Sequence, residues 1–272
     1  MEHGDLTERF QFGRNWKSYS SLVDESRVAS AEHRLKSLLG LKDLAGRAFL
    51  DIGCGSGLHA LAALRLGASR VVAIDLDPES VAAARTLLER FAPNTEVEVA
   101  QRSVFDLEQA APGQFDIVYS WGVLHHTGDM MRAIRVAAGQ VRNGGLFALA
   151  VYGKTRYCGM WARIKRWYVH APAPKQAAAE RLYIRLFGLY LLLRGKRLST
   201  HIANYYSAKR GMDFHHDVRD WIGGYPYESI AARELMALLE PLGFVLVRQK
   251  VKRRSGLFGS GNDEYVFRKL LT

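Results

Sequence analysis

Cysteine is almost missing from this chain. Only Cys54 and Cys158 occur in 272 residues, too far apart for a zinc ligand spacing and too few for a disulfide framework, so a reducing cytoplasm is the expected compartment. No run of about 18 apolar residues is present, which excludes a bilayer-spanning helix. The longest apolar patch, 186–193, is short and flanked by arginines, and reads as a buried or interfacial helix. The opening Met1–Asp5 is too polar for a secretory signal. Internal repeats are lacking, and the one biased piece is the Ala/Pro-rich Ala171–Ala179. Acidic residues are scarce in the second half: residues 1–151 carry a formal charge of −2 and residues 152–272 one of +13, giving the total of +11. Whatever partner wants positive charge therefore meets the C-terminal half.

What is present alternates between strand and helix. The first forty residues read as helical, with Phe10, Phe12, Trp16 and Tyr19 ahead of a charged amphipathic stretch. Ala48–Ile52 and Arg70–Asp75 read as strands separated by a helix over Leu58–Leu66. Asp77-Pro78 opens the next helix, as an N-cap followed by a proline in the first turn. Thr95–Ala100 and Phe115–Ser120 follow as strands. A helix over Met130–Val141 then passes through Asn143-Gly144-Gly145 into a strand at Leu146–Val151. This spacing predicts an α/β fold, a Rossmann-like doubly wound sheet. Residues 152–224 are basic, aromatic and mostly helical, and predict an insertion or lid. A helix at Ala231–Leu239 and two strands, Phe244–Val251 and Glu264–Arg268, predict a terminal antiparallel hairpin completing the sheet. The expected organisation is thus an N-terminal segment (1–46), a core (47–151), the insertion (152–224) and a closing piece (225–272).

Asp51-Ile52-Gly53-Cys54-Gly55-Ser56-Gly57 joins the first strand to the first helix. Glycines there permit a tight turn and let a ligand approach the backbone, while a helix N-terminus favours anionic groups. Asp75 ends the second strand, where an acid suits a ribose diol. The nicotinamide fingerprint G-x-G-x-x-G fails, because its third glycine position is Leu58. The motif D-x-G-x-G-x-G resembles that of the class I S-adenosylmethionine-dependent methyltransferases. The resemblance covers roughly 47–151 and the final hairpin, and implies S-adenosyl-L-methionine as cofactor. It places Asp51, Gly53, Cys54, Gly55 and Gly57 along the methionine part and gives Asp75 the ribose hydroxyls. Leu76 falls against the adenine, Ser103 and Val104 at the adenine edge, and Ser120 at the close of the cofactor site. An aspartate is commoner in the family where Ser103 stands. Trp16 and Tyr19 are read either as a lid over the cofactor or as a helix packed on the sheet.

Methyl transfer from a sulfonium demands alignment and, for a hydroxyl acceptor, removal of a proton. His125 and His126 follow the fourth strand, at the carboxyl edge where such sheets bind ligands, and histidine is suited to proton transfer near neutral pH. Val123-Leu124-His125-His126 is similar to a phrase in small-molecule and sugar O-methyltransferases in which a histidine is the base. Either histidine is a candidate. Trp121, His215, His216, Asp217, Asp220, Trp221, Tyr225 and Asn262 form the expected acceptor-binding wall, with an interdomain packing seam as the other reading. Together with Phe12–Trp16 and Asn262–Glu264 they resemble a bacterial subgroup of these enzymes. His215, His216 and Asp217 are sequential, so their side chains diverge and no metal site is expected.

The basic stretches 160–168 and 181–197 admit three readings: a cap whose charge meets a phosphate on the acceptor, a helix lying on an anionic membrane surface, or a nucleic-acid track. The first leads. No Asn-Pro-Pro-Tyr signature follows the fourth strand, which argues against a nucleic-acid substrate. The expectation is a cytoplasmic enzyme that methylates oxygen on a small molecule, a sugar or a secondary metabolite. The alternatives are an N-methyltransferase, a methyltransferase of RNA or a lipid-linked glycan, and a non-catalytic protein that binds adenosylmethionine.

Overall fold

The computed structural model describes Gly13, Trp16, Ser20 and residues 22–93, 95, 97–109, 113–205, 214–252 and 255–271, without the side chain of His216. Its sheet has seven strands: β1 (Ala48–Ile52), β2 (Arg70–Asp75), β3 (Glu98–Gln101), β4 (Phe115–Trp121), β5 (Val141–Tyr152), β6 (Phe244–Lys250) and β7 (Asn262–Lys269). Their order is β3-β2-β1-β4-β5-β7-β6. The first five strands pair in parallel, and β7 lies antiparallel between β5 and β6. This is the Rossmann-like sheet with a terminal hairpin that the alternation of patterns predicts.

The central strands are apolar on both faces because helices cover both. Alternate residues of β1 divide between two cores. Phe49 joins Ala31, Leu35 and Leu39 of α1 (Glu25–Leu39) and Ala60, Ala62 and Ala63 of α2 (Leu58–Arg65). Leu50 and Ile52 join Ala133, Ile134 and Ala137 of α4 (Met130–Gly139) and Leu235 and Leu239 of α9 (Ala232–Leu239). The helix ends carry the expected chemistry. Asp24 caps α1 by accepting from the Arg27 N–H at 2.9 Å, and Gly40 closes it with φ 68°. Asp77 caps α3 (Pro78–Phe91), accepting from the Glu79 N–H at 2.8 Å.

Two compact units emerge. The sheet unit takes in Gln11–Lys154, Glu228–Arg254 and Gly261–Thr272; the other holds Thr155–Tyr227 and Ser255–Ser260. The second unit is helical: α5 (Cys158–His170), α6 (Ala173–Leu193), α7 (Leu198–Ala203) and α8 (Phe214–Gly223). The short segment Ser255–Ser260 belongs to it because three side chains grip that segment's polar atoms. Trp161 Nε1 donates to the Gly256 carbonyl (2.9 Å), Tyr183 Oη to the Phe258 carbonyl (2.9 Å) and Tyr227 Oη to Ser260 Oγ (3.1 Å).

Candidate active site

Strand order reverses between β1 and β4, and the carboxyl ends of the strands there are where open α/β sheets bind ligands. Asp51 stands near the end of β1, in register with Ala73 of β2 and Tyr119 of β4. The turn that follows needs its glycines. Gly53, Gly55 and Gly57 have φ of 74°, 54° and 77°, a left-handed region that costs other residues about 1–2 kcal/mol. They are also crowded. A Cβ on Gly53 would lie 2.3 Å from Val123, one on Gly55 2.9 Å from the Trp16 indole, and one on Gly57 2.9 Å from Ala84 Cβ.

Asp75 fastens this turn from the end of β2. Its Oδ2 accepts from the Gly55 N–H and its Oδ1 from the Asp77 N–H, both at 2.9 Å. Each oxygen keeps a lone pair for a further donor. Asp51 is almost fully buried, and its Oδ2 has no hydrogen-bond partner among the described residues. Burial first, and then the negative charge of Asp75, push the Asp51 carboxyl up to about 8; burial likewise raises Asp75 to about 6, against the pull of its backbone donors. A buried acid with one oxygen unsatisfied, beside a half-buried second acid, makes a cation-seeking site, and the methionine ammonium of S-adenosylmethionine fits that demand.

The other predicted cofactor residues divide. Leu76 is half-buried beyond Asp75, and Cys54 is buried within the turn. Ser103 spends both its groups locally: its N–H donates to Asp106 Oδ2 at 2.8 Å, and its Oγ accepts from the Phe105 N–H at 3.2 Å. Val104 is buried in the 3-10 turn that Ser103 opens. Ser120 is fully buried and donates to the Ile52 carbonyl at 3.0 Å, which makes it a brace between β4 and β1. Trp16 lies against the glycine turn, and the Gly13 N–H donates to Asp77 Oδ2 at 2.9 Å. Tyr19 lies outside the described residues.

The two histidines differ in their surroundings. His125 is fully buried; its ring stacks on that of Tyr152 with centroids 3.7 Å apart, and its Nδ1 accepts the Tyr152 N–H at 3.2 Å. A nitrogen that accepts carries no proton, so the neutral ring holds its hydrogen on Nε2. Taking a second proton at Nδ1 would set two donors face to face. His126 is half-buried and meets the Tyr152 ring edge-on at 5.3 Å. Glu228 locks this loop. Its N–H donates to the His125 carbonyl at 3.0 Å and its Oε2 accepts from the Met130 N–H at 2.9 Å, at the start of α4. Tyr152 was silent in the sequence, since a tyrosine ending a strand has no distinguishing spacing.

Trp121 is half-buried at the end of β4, and Asn262 starts β7 in register with Tyr152. The remaining members of the expected acceptor wall belong to the helical unit. There, Asp217 accepts from Tyr205 Oη. Trp221 packs edge-on against Trp161 with centroids 5.0 Å apart, while its carbonyl accepts from the buried Lys165 Nζ, which also sits 3.9 Å from the Trp221 ring centre. Asp220 is half-buried and acts electrostatically on Lys165. Trp221 thus ties α8 to α5 within the helical unit. His215 is exposed, Tyr225 is half-buried, and the side chain of His216 lies outside what is described.

Comparison with known proteins agrees with this geometry. The family profile described as a methyltransferase domain matches residues 50–149. A ubiquinone biosynthesis O-methyltransferase of Xanthomonas euvesicatoria pv. vesicatoria is 34% identical over 165 residues, 61% of this chain and 68% of that protein. Its namesake in Xanthomonas campestris pv. campestris is 35% identical over 155 residues, 57% of this chain and 64% of the relative. The chain belongs to the class I S-adenosylmethionine-dependent methyltransferases. It is a methyltransferase with S-adenosylmethionine as its methyl donor. The match spans about two-thirds of these relatives' length. In fold, it resembles a magnesium protoporphyrin IX methyltransferase from Synechocystis, at a TM-score of 0.52 and 16% identity over 89% of this chain and 83% of that one.

Proposed function

We propose that this methyltransferase acts on a hydroxyl oxygen of a small molecule, with His126 as the base. S-adenosylmethionine supplies an electrophilic methyl group on a sulfonium. Asp51 takes the ammonium of its methionine part and Asp75 its ribose hydroxyls; the glycine turn lets the backbone close on the ligand, and Trp16 covers the turn. The observation that carries the assignment of the base is the Tyr152 N–H on His125 Nδ1. It commits His125 to orienting the loop; His126, half-buried and edge-on to the Tyr152 ring, takes the proton from the acceptor oxygen in this reading. Trp121 and Asn262, on the same sheet edge, are the acceptor contacts this reading keeps. The name of the Xanthomonas relatives supports oxygen as the methylated atom.

The test is a panel of hydroxylated aromatic and sugar acceptors, with isotope-labelled methyl donor and the position of the methyl read by NMR. O-methylated product from the native chain, lost in His126→Gln, is expected. Product methylated on nitrogen, or turnover indifferent to His126→Gln, would refute the assignment.

A further inference from the structure

α6 leaves a row of leucines facing water. Leu182, Leu186, Leu189 and Leu193 are 58, 49, 54 and 80% exposed, at the four-three-four spacing of one helical face. The opposite side carries Tyr183, Ile184 and Phe187, which pack on Tyr168, Phe214 and their neighbours. Isolated exposed leucines are ordinary, but a continuous stripe marks an interaction surface. Its borders are cationic. Residues 173–197 hold six basic side chains, Lys175, Arg181, Arg185, Arg194, Lys196 and Arg197, against one acid, Glu180. That acid is engaged by Tyr168 Oη at 2.5 Å and Arg219 Nε at 3.4 Å, so it does not neutralise the border. On α5 the same combination recurs, with Trp167 49% exposed between the exposed Arg163, Arg166 and His170.

We propose that this leucine face of α6 docks on the surface of an anionic phospholipid bilayer, the leucines entering the acyl boundary and the flanking cations meeting lipid phosphates. An apolar stripe bordered by Lys and Arg is the geometry of an interfacial helix, and no described helix is long and apolar enough to cross a membrane. A nucleic acid would want the aromatic rings of α6 for stacking, yet the ring of Phe187 is taken up by its neighbours: it lies 6.2 Å from Tyr183, 6.3 Å from Phe214 and 5.4 Å from Phe258, centroid to centroid. A second copy joined about a two-fold axis would set two cationic borders against each other. The inference goes beyond the acceptor reading and stands without it. Its consequence is that the enzyme works where acceptors that partition into lipid are concentrated.

Vesicle flotation tests this with the full chain. Phosphatidylglycerol–phosphatidylcholine vesicles are compared with phosphatidylcholine alone, and S-adenosylmethionine binding of each variant checks its fold. The native chain floats with the anionic vesicles. Leu186→Glu with Leu189→Glu weakens partitioning by roughly tenfold per leucine, and Arg181→Ser with Arg185→Ser by roughly fivefold per arginine. Cofactor binding stays unchanged in both. No flotation of the native chain overturns the proposal, as does unaltered flotation of the leucine variant. Two further results also overturn it. One is a dimer in sedimentation velocity that the leucine variant abolishes while native flotation is absent. The other is RNA binding that the arginine variant abolishes and lipid does not displace.

Discussion

At the residue scale, the chemistry rests on a buried acid, Asp51, with one carboxylate oxygen that no described residue satisfies. The Asp51 carboxyl is pushed up to about 8 by burial and by Asp75, so below that pH it holds a proton where a cationic ligand wants a charge. A cation that binds the ionised form gains affinity as pH rises toward the carboxyl's own value, and no further beyond it. Calorimetry from pH 6 to about 8 should therefore show S-adenosylmethionine binding tighten, releasing a proton, and Asp51→Asn should remove that part of the profile as well as weaken binding. The same raised value costs stability. A carboxyl whose folded value lies above its unfolded value of about 3.9 favours the fold less as pH climbs from about 4 to about 8, so the ligand-free protein gains stability in Asp51→Asn toward the upper end of that range. The histidines should separate in kind. His126→Gln is expected to lower kcat by on the order of a hundredfold, the usual contribution of general base catalysis, with KM little changed. His125→Gln, which disturbs the stack on Tyr152 and its N–H bond, is expected to lower thermal stability and to move KM and kcat together.

At the scale of elements, the glycine turn does two jobs that one substitution series can separate. Gly46 and Gly57 have φ of 70° and 77°, but nothing lies within 4 Å of a Cβ on Gly46, whereas one on Gly57 would meet Ala84. Gly46→Ala should cost only the left-handed penalty of about 1 kcal/mol. Gly57→Ala should cost that plus overpacking between α2 and α3, roughly 2–4 kcal/mol in denaturant unfolding. Motif glycines and acids were legible because a tight turn and a ligand-facing carboxylate leave few residue types available. Strand edges were less so. Thr95–Ala100 reads as a strand, whereas β3 is Glu98–Gln101, an edge strand whose residues are half-buried or exposed and so carry little periodicity. Asn143-Gly144-Gly145 reads as a turn ahead of the last parallel strand, yet β5 runs through it from Val141. Gly144 adopts φ 77°, and a Cβ on Gly145 would lie 2.8 Å from the Asp116 carbonyl, so the glycines serve a close approach to β4 at a shift of register. The partners of His125, Tyr152 and Glu228, come from the end of β5 and from far down the chain, and local spacing cannot report such contacts.

At the scale of the molecule, charge and fold divide along the chain. Residues 1–151, with the site acids, are near neutral at −2, and residues 152–272 carry +13. Thr155–Tyr227, the part read as an insertion over 152–224, forms a compact unit together with Ser255–Ser260. That last piece was hidden from sequence because long-range hydrogen bonds, not composition, recruit it. Ligand binding should register in the sheet unit's unfolding. At a hundredfold excess over Kd a ligand stabilises by about 2.7 kcal/mol, a Tm increase of roughly 5–10 °C for a chain of this size, with S-adenosylmethionine or S-adenosylhomocysteine but not with a nicotinamide dinucleotide. The most direct test is titration calorimetry of S-adenosylmethionine and S-adenosylhomocysteine into the native chain, Asp51→Asn and Asp75→Asn. Binding by the native chain and loss of at least tenfold in affinity in each variant is the result this account predicts. Native affinity in both variants, or no binding of either ligand at millimolar concentration, would contradict it.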